Sequence, residues 1–301
     1  MEWITSIKDS IGNKIKKFVH GTFENVRRKK NHVLSTYKDK PKIKDLLGSM
    51  TTYQPRVSFF EYSILSVLNG SLLPEKILVY VPKGFKDLLH KHGSILSDVY
   101  DSGYVELIEM PEDVFCHSKY YYAFQEYGEK KDIVLFDDDV IYYKDWLSEL
   151  YSKSQEYPDH NVFSYKAVEV KTNNGQIEPY DNWVHCSKIS KSSNDSLLYV
   201  EAVGGAFYRR NSMRKETLNK DKFLEIATKA DDVWLWFCSY LNKNKVKFIL
   251  PRNGARLLYT IPNSQESALW RDNILAKIND KYVLDCHNYF KEKYGLDITK
   301  R

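Results

Sequence analysis

Hydrophobic positions in the first half of the chain fall in short runs that are separated by segments of helical length. Five runs are rich in Val, Ile, Leu and aromatic residues, which predicts buried strands; they are DLLGSM, KILVYV, YVELIEM, DIVLF and NVFSY. The segments near 57–69, 84–92, 117–127 and 144–153 have the pattern of helices. Because parallel strands need crossovers of this length, the alternation predicts an α/β fold with a mostly parallel central sheet flanked by helices.

The pattern changes at both ends of this core. From about 166 to 202 the sequence turns to Asn, Ser, Lys and Gly, which predicts long loops with short strands. Residues 1–30 carry basic side chains between Trp, Ile, Phe and Val at helical spacing, which predicts an N-terminal amphipathic helix. Such a helix can lie on an anionic membrane surface or pack on the body of the protein, and the sequence leaves both open. The polar KDKPKIKD segment places a boundary near residue 40.

Composition narrows the class of protein. The 301 residues are 43% hydrophobic and 28% charged, as in globular proteins with a substantial core. No run is long enough to span a bilayer, and the N-terminus lacks the features of a signal peptide, so we expect a cytoplasmic protein. The four cysteines form no CxxC pair, which favours reduced thiols. A net charge of +5 is modest, and we expect no nucleic-acid partner.

Three adjacent carboxylates, Asp137, Asp138 and Asp139, end the strand that begins at Ile133. Ligands of open α/β sheets bind outside the carboxyl ends of strands, so these acids lie where a crevice is expected. Their mutual repulsion can be offset by Mg²⁺ or Mn²⁺, which prefer oxygen ligands and could bridge to a diphosphate. The alternative is a turn in which one Asp caps a helix beginning near Lys144.

The first strand ends in SMTTYQPR, which offers hydroxyls, an aromatic face and a cation to a nucleotide. The candidates are Thr51, Thr52, Tyr53 and Arg56. Neither GxGxxG nor GxxxxGK[ST] occurs, so phosphates would be held by a metal and basic side chains. Lys119 is a candidate for that role, with a solvated helix lysine as the alternative.

A second group of candidate residues lies in EAVGGAFYRRNSM and KADDVWLWFCSYL. Gly204 and Gly205 would let the backbone approach a ligand. Asp231 and Asp232 open an apolar helix, where acids interact favourably with the helix dipole and Asp is a preferred cap. The functional interpretation is that Asp231 caps the helix while Asp232 is the general base for an acceptor hydroxyl.

The ordered set of SMTTYQPR, DIVLFDDDVIYY, VGGAFYRR, ADDVW and LWRDNILAKIND resembles bacterial glycosyltransferases of the GT-A fold that build capsules, O-antigens and lipooligosaccharides. The resemblance covers roughly residues 45–282. It implies a metal site at Asp137 and Asp139, and a catalytic base at Asp232 with Asp231 less favoured. The remaining positions are implied to bind the donor: Thr51, Thr52, Tyr53, Arg56, Lys119, Asp137, Asp138, Gly204 and Gly205. This chain has Asp-Asp where the family usually has Glu-Asp.

The resemblance also implies a reaction. A hexose, galactose or glucose, would pass from a UDP-sugar to a glycan or lipid-linked glycan at the inner face of the bacterial membrane, with Mn²⁺ or Mg²⁺ and with inversion. One catalytic domain would span 41–301, with a nucleotide-sugar-binding half at 41–165 and an acceptor-binding half at 166–301. His185 and His287 are candidates for a third metal ligand. Asn263, Asn273, Asn279 and Asp280 are candidates for closing the donor site. A nucleotidyltransferase and a non-catalytic nucleotide-sugar-binding protein remain alternatives.

Overall fold

The structure, a computed structural model, describes residues 21–186, 198–250, 258–264 and 278–300. Most of the predicted N-terminal amphipathic helix lies outside the described residues. Its described end is helical at 21–28 (α1) and continues in α2 (Lys30–Thr36). Val26, Val33 and Tyr37 are buried in the main core, so this end of the segment packs on the body of the protein. The domain boundary at residue 40 stays a prediction.

The predicted strands and helices of the first half are all present. Strand β1 begins three positions before the predicted run, and the short helix α5 was not predicted. The elements are β1 (Lys42–Thr51), α3 (Phe60–Leu68), β2 (Leu73–Val81), α4 (Phe85–His92), α5 (Ser97–Asp101), β3 (Val105–Glu109), α6 (Ser118–Tyr127), β4 (Asp132–Leu135), β5 (Val140–Tyr142), α7 (Trp146–Glu156) and β6 (Val162–Ser164).

The second half begins with short strands, as the polar composition after residue 166 predicts. The elements are β7 (Ala167–Glu169), β8 (Thr172–Asn173), β9 (Gln176–Ile177), β10 (Val184–His185), β11 (Leu198–Val200), β12 (Ala206–Tyr208), α8 (Lys220–Ile226), α9 (Asp231–Leu241), β13 (Val246–Phe248), β14 (Leu258–Thr260) and α10 (Ile278–Tyr294). Within the described ranges, no helix combines the length and the apolar character needed to cross a bilayer.

The central sheet has seven strands in the order β13-β6-β12-β4-β1-β2-β3. Strand β12 is antiparallel to both of its neighbours, and the other pairings are parallel. The predicted mostly parallel α/β sheet is therefore confirmed. In the pairing of β1 with β4, Ser49 lies opposite Leu135, so the residues that follow these two strands leave the sheet at the same edge.

Hydrophobic side chains fill both faces of the sheet. Alternation along β1 sends Leu46 and Met50 to the face covered by α3, α4 and α7, and Leu47 to the opposite face. On that opposite face the cluster includes Trp234 of α9 and Phe290 of α10. Because the sheet is buried on both sides, its carboxyl edge is the place where polar side chains can gather around a ligand.

Candidate functional site

A cavity of about 560 Å³ opens beyond the carboxyl ends of β1 and β4. It is lined by residues from the end of β1, the acidic turn after β4, the start of α6, the strands after residue 166 and the start of α9. Most of the predicted site residues meet there despite their separation in the sequence; those that line the cavity are Thr51, Thr52, Tyr53, Arg56, Lys119, Asp137, Asp138, Asp139, Asp231 and Asp232.

The acidic turn follows β4 directly, as predicted. The alternative, a turn in which one of these acids caps the next helix, is wrong. Strand β5 intervenes and pairs with β14, and the residue at the N-cap position of α7 is Asp145. Two contacts hold the start of the turn: the hydroxyl of Ser63 donates to the carbonyl of Asp137 at 2.7 Å, and the amide of Asp137 donates to the hydroxyl of Tyr142 at 2.9 Å.

Arg56 binds the second and third acids of the turn. Its Nη1 lies 2.7 Å from Oδ2 of Asp139 and 3.4 Å from Oδ1 of Asp138. The hydroxyl of Thr52 donates to Oδ2 of Asp138 at 2.7 Å. Although burial alone would lower it, the two carboxylates raise the pKa of Arg56 above its usual value, so the guanidinium stays charged. The end of β1 and the acidic turn therefore form one polar unit.

Lys119 joins the acidic turn to the start of α9. Its Nζ lies 3.1 Å from Oδ1 of Asp137 and 2.7 Å from Oδ2 of Asp231, and the side chain is only 8% exposed. Burial opposes the charged form, but Asp137 and Asp231 hold the pKa of Lys119 well above its usual value. The alternative of a solvated helix lysine is therefore wrong. Lys119 is a buried bridge between two carboxylates, and its contact with a diphosphate stays a prediction.

Burial dominates the electrostatics of the first two acids in the turn. It raises the pKa of Asp137, with Asp139 and Asp231 acting in the same direction against Lys119. Burial likewise raises the pKa of Asp138 to about 7, while Arg56 opposes the shift. A cation that binds such carboxylates would stabilise their charged form, because it replaces the favourable interaction with water that burial removed.

The two acids at the start of α9 have different environments. The N-cap residue of α9 is Ala230, and Asp231 bonds to Lys119, so the expectation that Asp231 is the cap is wrong. Burial would raise the pKa of Asp231, but Lys119 and then His117 bring it below its usual value. Asp232 accepts the amide of Ala202 at 3.2 Å, and burial followed by the charge of Asp231 raises its pKa well above the usual value.

The predicted glycines do not line the cavity. Gly205 has a φ of 84°, and a Cβ at this position would lie 2.4 Å from the ring of Trp146. The carbonyl of Gly204 accepts the indole N–H of Trp146 at 2.9 Å. Gly205 therefore leaves space for a buried tryptophan and Gly204 accepts its hydrogen bond, whereas a Cβ on Gly204 would meet Lys166 and Tyr165. Their approach to a ligand stays a prediction. Their neighbour Val203 does line the cavity.

Several lining residues were missing from the sequence prediction. Glu201 accepts the hydroxyl of Tyr180 and lies 3.1 Å from Nζ of Lys166, so these three form one wall. The amide of Tyr180 donates to Asp280 at 2.7 Å, which ties this wall to α10. Glu201 directly precedes the GG segment, which was the available signal. The others are Asp113, Phe115, Cys116, Tyr199, Val203, Lys229, Ala230 and Thr260.

Of the remaining candidates for a third metal ligand or for closing the donor site, some lie at the cavity and others do not. Asn279 lines the cavity, whereas Asp280 supports it through Tyr180. Asn273 lies outside the described residues. Asn263, His185 and His287 are not among the lining residues, and His287 is buried in α10 with its Nε2 3.7 Å from Asp297. Neither histidine therefore lies where it could complete a metal site with the acidic turn.

The acidic turn has oxygen ligands suited to a hard divalent cation. Among the described residues, no group of three or more His, Cys, Asp and Glu side chains is arranged to hold a metal ion. Mg²⁺ and similar ions often use only one or two carboxylates and take their other ligands from water and substrate phosphates. Asp137 and Asp139 therefore stay predicted ligands of a two-carboxylate site; in this structure Asp137 pairs with Lys119 and Asp139 pairs with Arg56.

No family model matches the chain, and no curated protein matches it. Among solved structures, residues 1–349 of S. aureus TarS are 15% identical and align with a TM-score of 0.47 over 85% of this chain and 75% of that chain. Structures of the same fragment with UDP-GlcNAc and with UDP are each 12% identical, with TM-scores of 0.45 and 0.44. These cover 85% of this chain and 74% and 73% of theirs. Likeness at this level bears on neither the activity nor the ligand of this chain.

Proposed function

We propose that this chain is a metal-dependent glycosyltransferase of the GT-A type that moves a hexose from a nucleotide-sugar to a hydroxyl of a glycan acceptor. The observation that carries the proposal is the convergence of three segments in one cavity: the end of β1, the acidic turn and the start of α9. A transfer between two substrates needs a donor-binding part and a proton-accepting part in contact with the same space, and the meeting of these segments supports the proposal that they supply both.

The donor part is formed by the end of β1 and the acidic turn. Thr51 and Thr52 offer hydroxyls, and Tyr53, which is 37% exposed, offers a ring face to a nucleobase. Arg56 holds Asp138 and Asp139 in place. When bound at Asp137 and Asp139, Mn²⁺ or Mg²⁺ would neutralise the charge on a leaving diphosphate. A UDP-sugar of galactose or glucose is the donor that we propose.

Asp232 is the candidate base. Deprotonation of an acceptor hydroxyl is favoured by a carboxylate of raised pKa, and burial and Asp231 raise the pKa of Asp232. Asp231 is a poorer candidate, because its ion pair with Lys119 lowers its pKa. The amide of Ala202 orients the carboxylate of Asp232. Attack by the deprotonated hydroxyl on the anomeric carbon, opposite to the leaving nucleotide, would invert the anomeric centre.

The acceptor class follows from the sequence resemblance. We propose a bacterial surface glycan or its lipid-linked precursor, with residues 1–30 contacting an anionic membrane surface. Removal of residues 1–20 should then reduce co-sedimentation with vesicles of phosphatidylglycerol while leaving donor turnover unchanged. Equal sedimentation of the truncated and full chains would contradict the membrane contact.

Calorimetric titration with UDP, GDP, CMP and dTDP, with and without Mn²⁺, tests the donor site. We expect metal-dependent binding of one nucleotide that is lost in Asp139→Ala and kept in Asp145→Ala. Asp145 is a suitable control because it lies outside the cavity and bonds to Ser71 at 2.7 Å. Absence of nucleotide binding by the wild-type chain would overturn the proposal.

Turnover then separates the proposed function from its alternatives. Release of UDP from UDP-galactose, UDP-glucose or UDP-GlcNAc with a glycoside acceptor, lost in Asp232→Asn, would support the transferase. Formation of a nucleotide-sugar from UTP and a sugar phosphate would instead identify a nucleotidyltransferase. Nucleotide-sugar binding without either reaction would identify a binding protein.

A further inference from the structure

Phe115 combines two features that are unusual for a phenylalanine. Its side chain is 50% exposed, and its backbone has a φ of 57°. Among the described residues, the other non-glycine positions with positive φ are all Asp, Asn, Glu or Lys. A bulky side chain in this conformation is strained, and such strain persists only where the surroundings impose it.

The contacts around Phe115 hold its backbone in this strained conformation. The amide of Phe115 donates to the carboxylate of Asp113 at 2.8 Å. Residues on both sides are buried: Val114 packs in the core, and His117 stacks on Phe223 with the ring centroids 4.2 Å apart. The turn is thus anchored at both ends, and within it the half-exposed Phe115 is one of the residues that line the cavity.

Contacts place this turn beside the start of α9, where Asp231 precedes the candidate base Asp232. The Nε2 of His117 lies 2.8 Å from the carbonyl of Ala227, and the thiol of Cys116 lies 3.9 Å from the carbonyl of Thr228. Both carbonyls belong to the loop that leads into α9. The side chains of Cys116 and Asp231 are hydrogen-bonded, so Cys116 lies against that carboxylate. Phe115 is therefore on the α9 side of the cavity, whereas Tyr53 is on the β1 side.

We infer that Phe115 is the platform on which a pyranose ring of the acceptor lies when its hydroxyl meets Asp232. This assignment rests on the proposed function for the identity of the acceptor. The face of a pyranose carries C–H groups that pack on an aromatic face, and a half-exposed phenyl ring that lines the cavity provides that face. Tyr53 and Phe115, which are the exposed aromatic side chains among the described lining residues, would then serve the donor and the acceptor respectively.

The test compares Phe115→Ala and Phe115→Trp with the wild-type full chain. The probes are methyl β-D-galactoside, methyl β-D-glucoside and methyl N-acetyl-β-D-glucosaminide, titrated by NMR with UDP and Mn²⁺ present. We expect Phe115→Ala to weaken the tightest glycoside by about five- to tenfold, and Phe115→Trp to stay within about twofold. UDP affinity should be unchanged in both variants.

Two further variants serve as controls. Leu284→Ala removes another exposed hydrophobic side chain, on α10 and outside the cavity, and should leave both ligands unaffected. Tyr53→Ala should weaken UDP and spare the glycosides. Equal glycoside binding by Phe115→Ala and the wild type, or no glycoside binding by the wild type, would overturn the platform. Failure of UDP to bind the wild type would instead overturn the proposed function, and the glycosides are therefore also titrated in the absence of UDP and Mn²⁺.

Discussion

Replacement of Lys119 by Met tests the bridge between the acidic turn and α9. Methionine keeps an unbranched apolar side chain in place of the lysine alkyl chain but removes the charge that Asp137 and Asp231 share. Breaking a buried ion pair by removing one partner costs about 3–5 kcal/mol of unfolding free energy, because the remaining charge stays buried and uncompensated. We expect a loss in this range at pH 7.5, measured by urea unfolding in the presence of a chelator.

The loss should depend on pH, and its sign follows from the pKa of Asp231. In the wild type this pKa is lowered, so Asp231 adds stability above about pH 4, which is lost as the pH falls through its folded pKa. Without Lys119, burial remains as the main influence and raises the folded pKa above the unfolded value. The carboxylate of the variant therefore destabilises increasingly as the pH rises. The difference between the two proteins should widen from pH 4.5 to pH 7.5.

Two controls make this prediction refutable. Lys76→Met removes an ion pair of the same 2.7 Å length, but its side chains are 40% and 48% exposed, so it should cost no more than about 1 kcal/mol. The double variant Lys119→Met with Asp231→Asn should recover part of the loss, because it removes one stranded charge. A loss equal to that of Lys76→Met, or one that does not change with pH, would refute the buried bridge.

Three more predictions concern the packing, the base and the metal. Gly205→Ala should lower the unfolding free energy by about 2–4 kcal/mol, because it adds overlap with Trp146 to the strain of a positive φ. Gly175→Ala, with a φ of 74° and open space around it, should cost about 1 kcal/mol. Equal effects of the two changes in urea unfolding would contradict the packing role of Gly205. Asp232→Asn should lower kcat by about 10²–10⁴-fold with UDP affinity unchanged. The kcat of the wild type should rise with pH through the raised pKa of Asp232, and the variant should lack this rise. A larger loss of kcat in Asp231→Asn would identify Asp231 as the base instead. Removal of Mn²⁺ by a chelator should abolish nucleotide binding, and calorimetric binding that persists without metal would exclude the two-carboxylate site.

The part of the fold that sequence predicts is the part with local signals. Strands β1 to β4 each contain a run rich in hydrophobic residues, and the longer helices between them have helical spacing of such residues. Strand β12 has only three residues, and its place between β4 and β6 comes from pairing with distant partners. Strand β5 likewise depends on β14, more than a hundred positions away. Such pairings leave no trace in a short window of sequence.

The candidate site likewise has features that the sequence predicts and features that depend on distant partners. Carboxylates at strand and helix ends are predictable, because the geometry of an α/β sheet places those ends together. The partners of these carboxylates are not predictable. From the sequence alone, Lys119 is expected to be a surface lysine of α6. It is buried because α6 and α9 pack on the same face of the sheet. Gly204 and Gly205 indicate an unusual backbone, but the sequence does not reveal that Trp146 is the group that needs the space at Gly205.

The charge of the cavity bears on what it can bind. Seven acidic and four basic side chains are among its described lining residues. Arg56 and Lys119 are already engaged by the acidic turn and α9. A free nucleotide diphosphate would bring more negative charge to a predominantly acidic cavity, where a low dielectric strengthens repulsion. A nucleotide that arrives with a divalent cation would meet less repulsion, and a cation held by Asp137 and Asp139 would also offset the burial that raises the pKa of Asp137. The acidity of the cavity therefore favours a metal–nucleotide complex over the nucleotide alone.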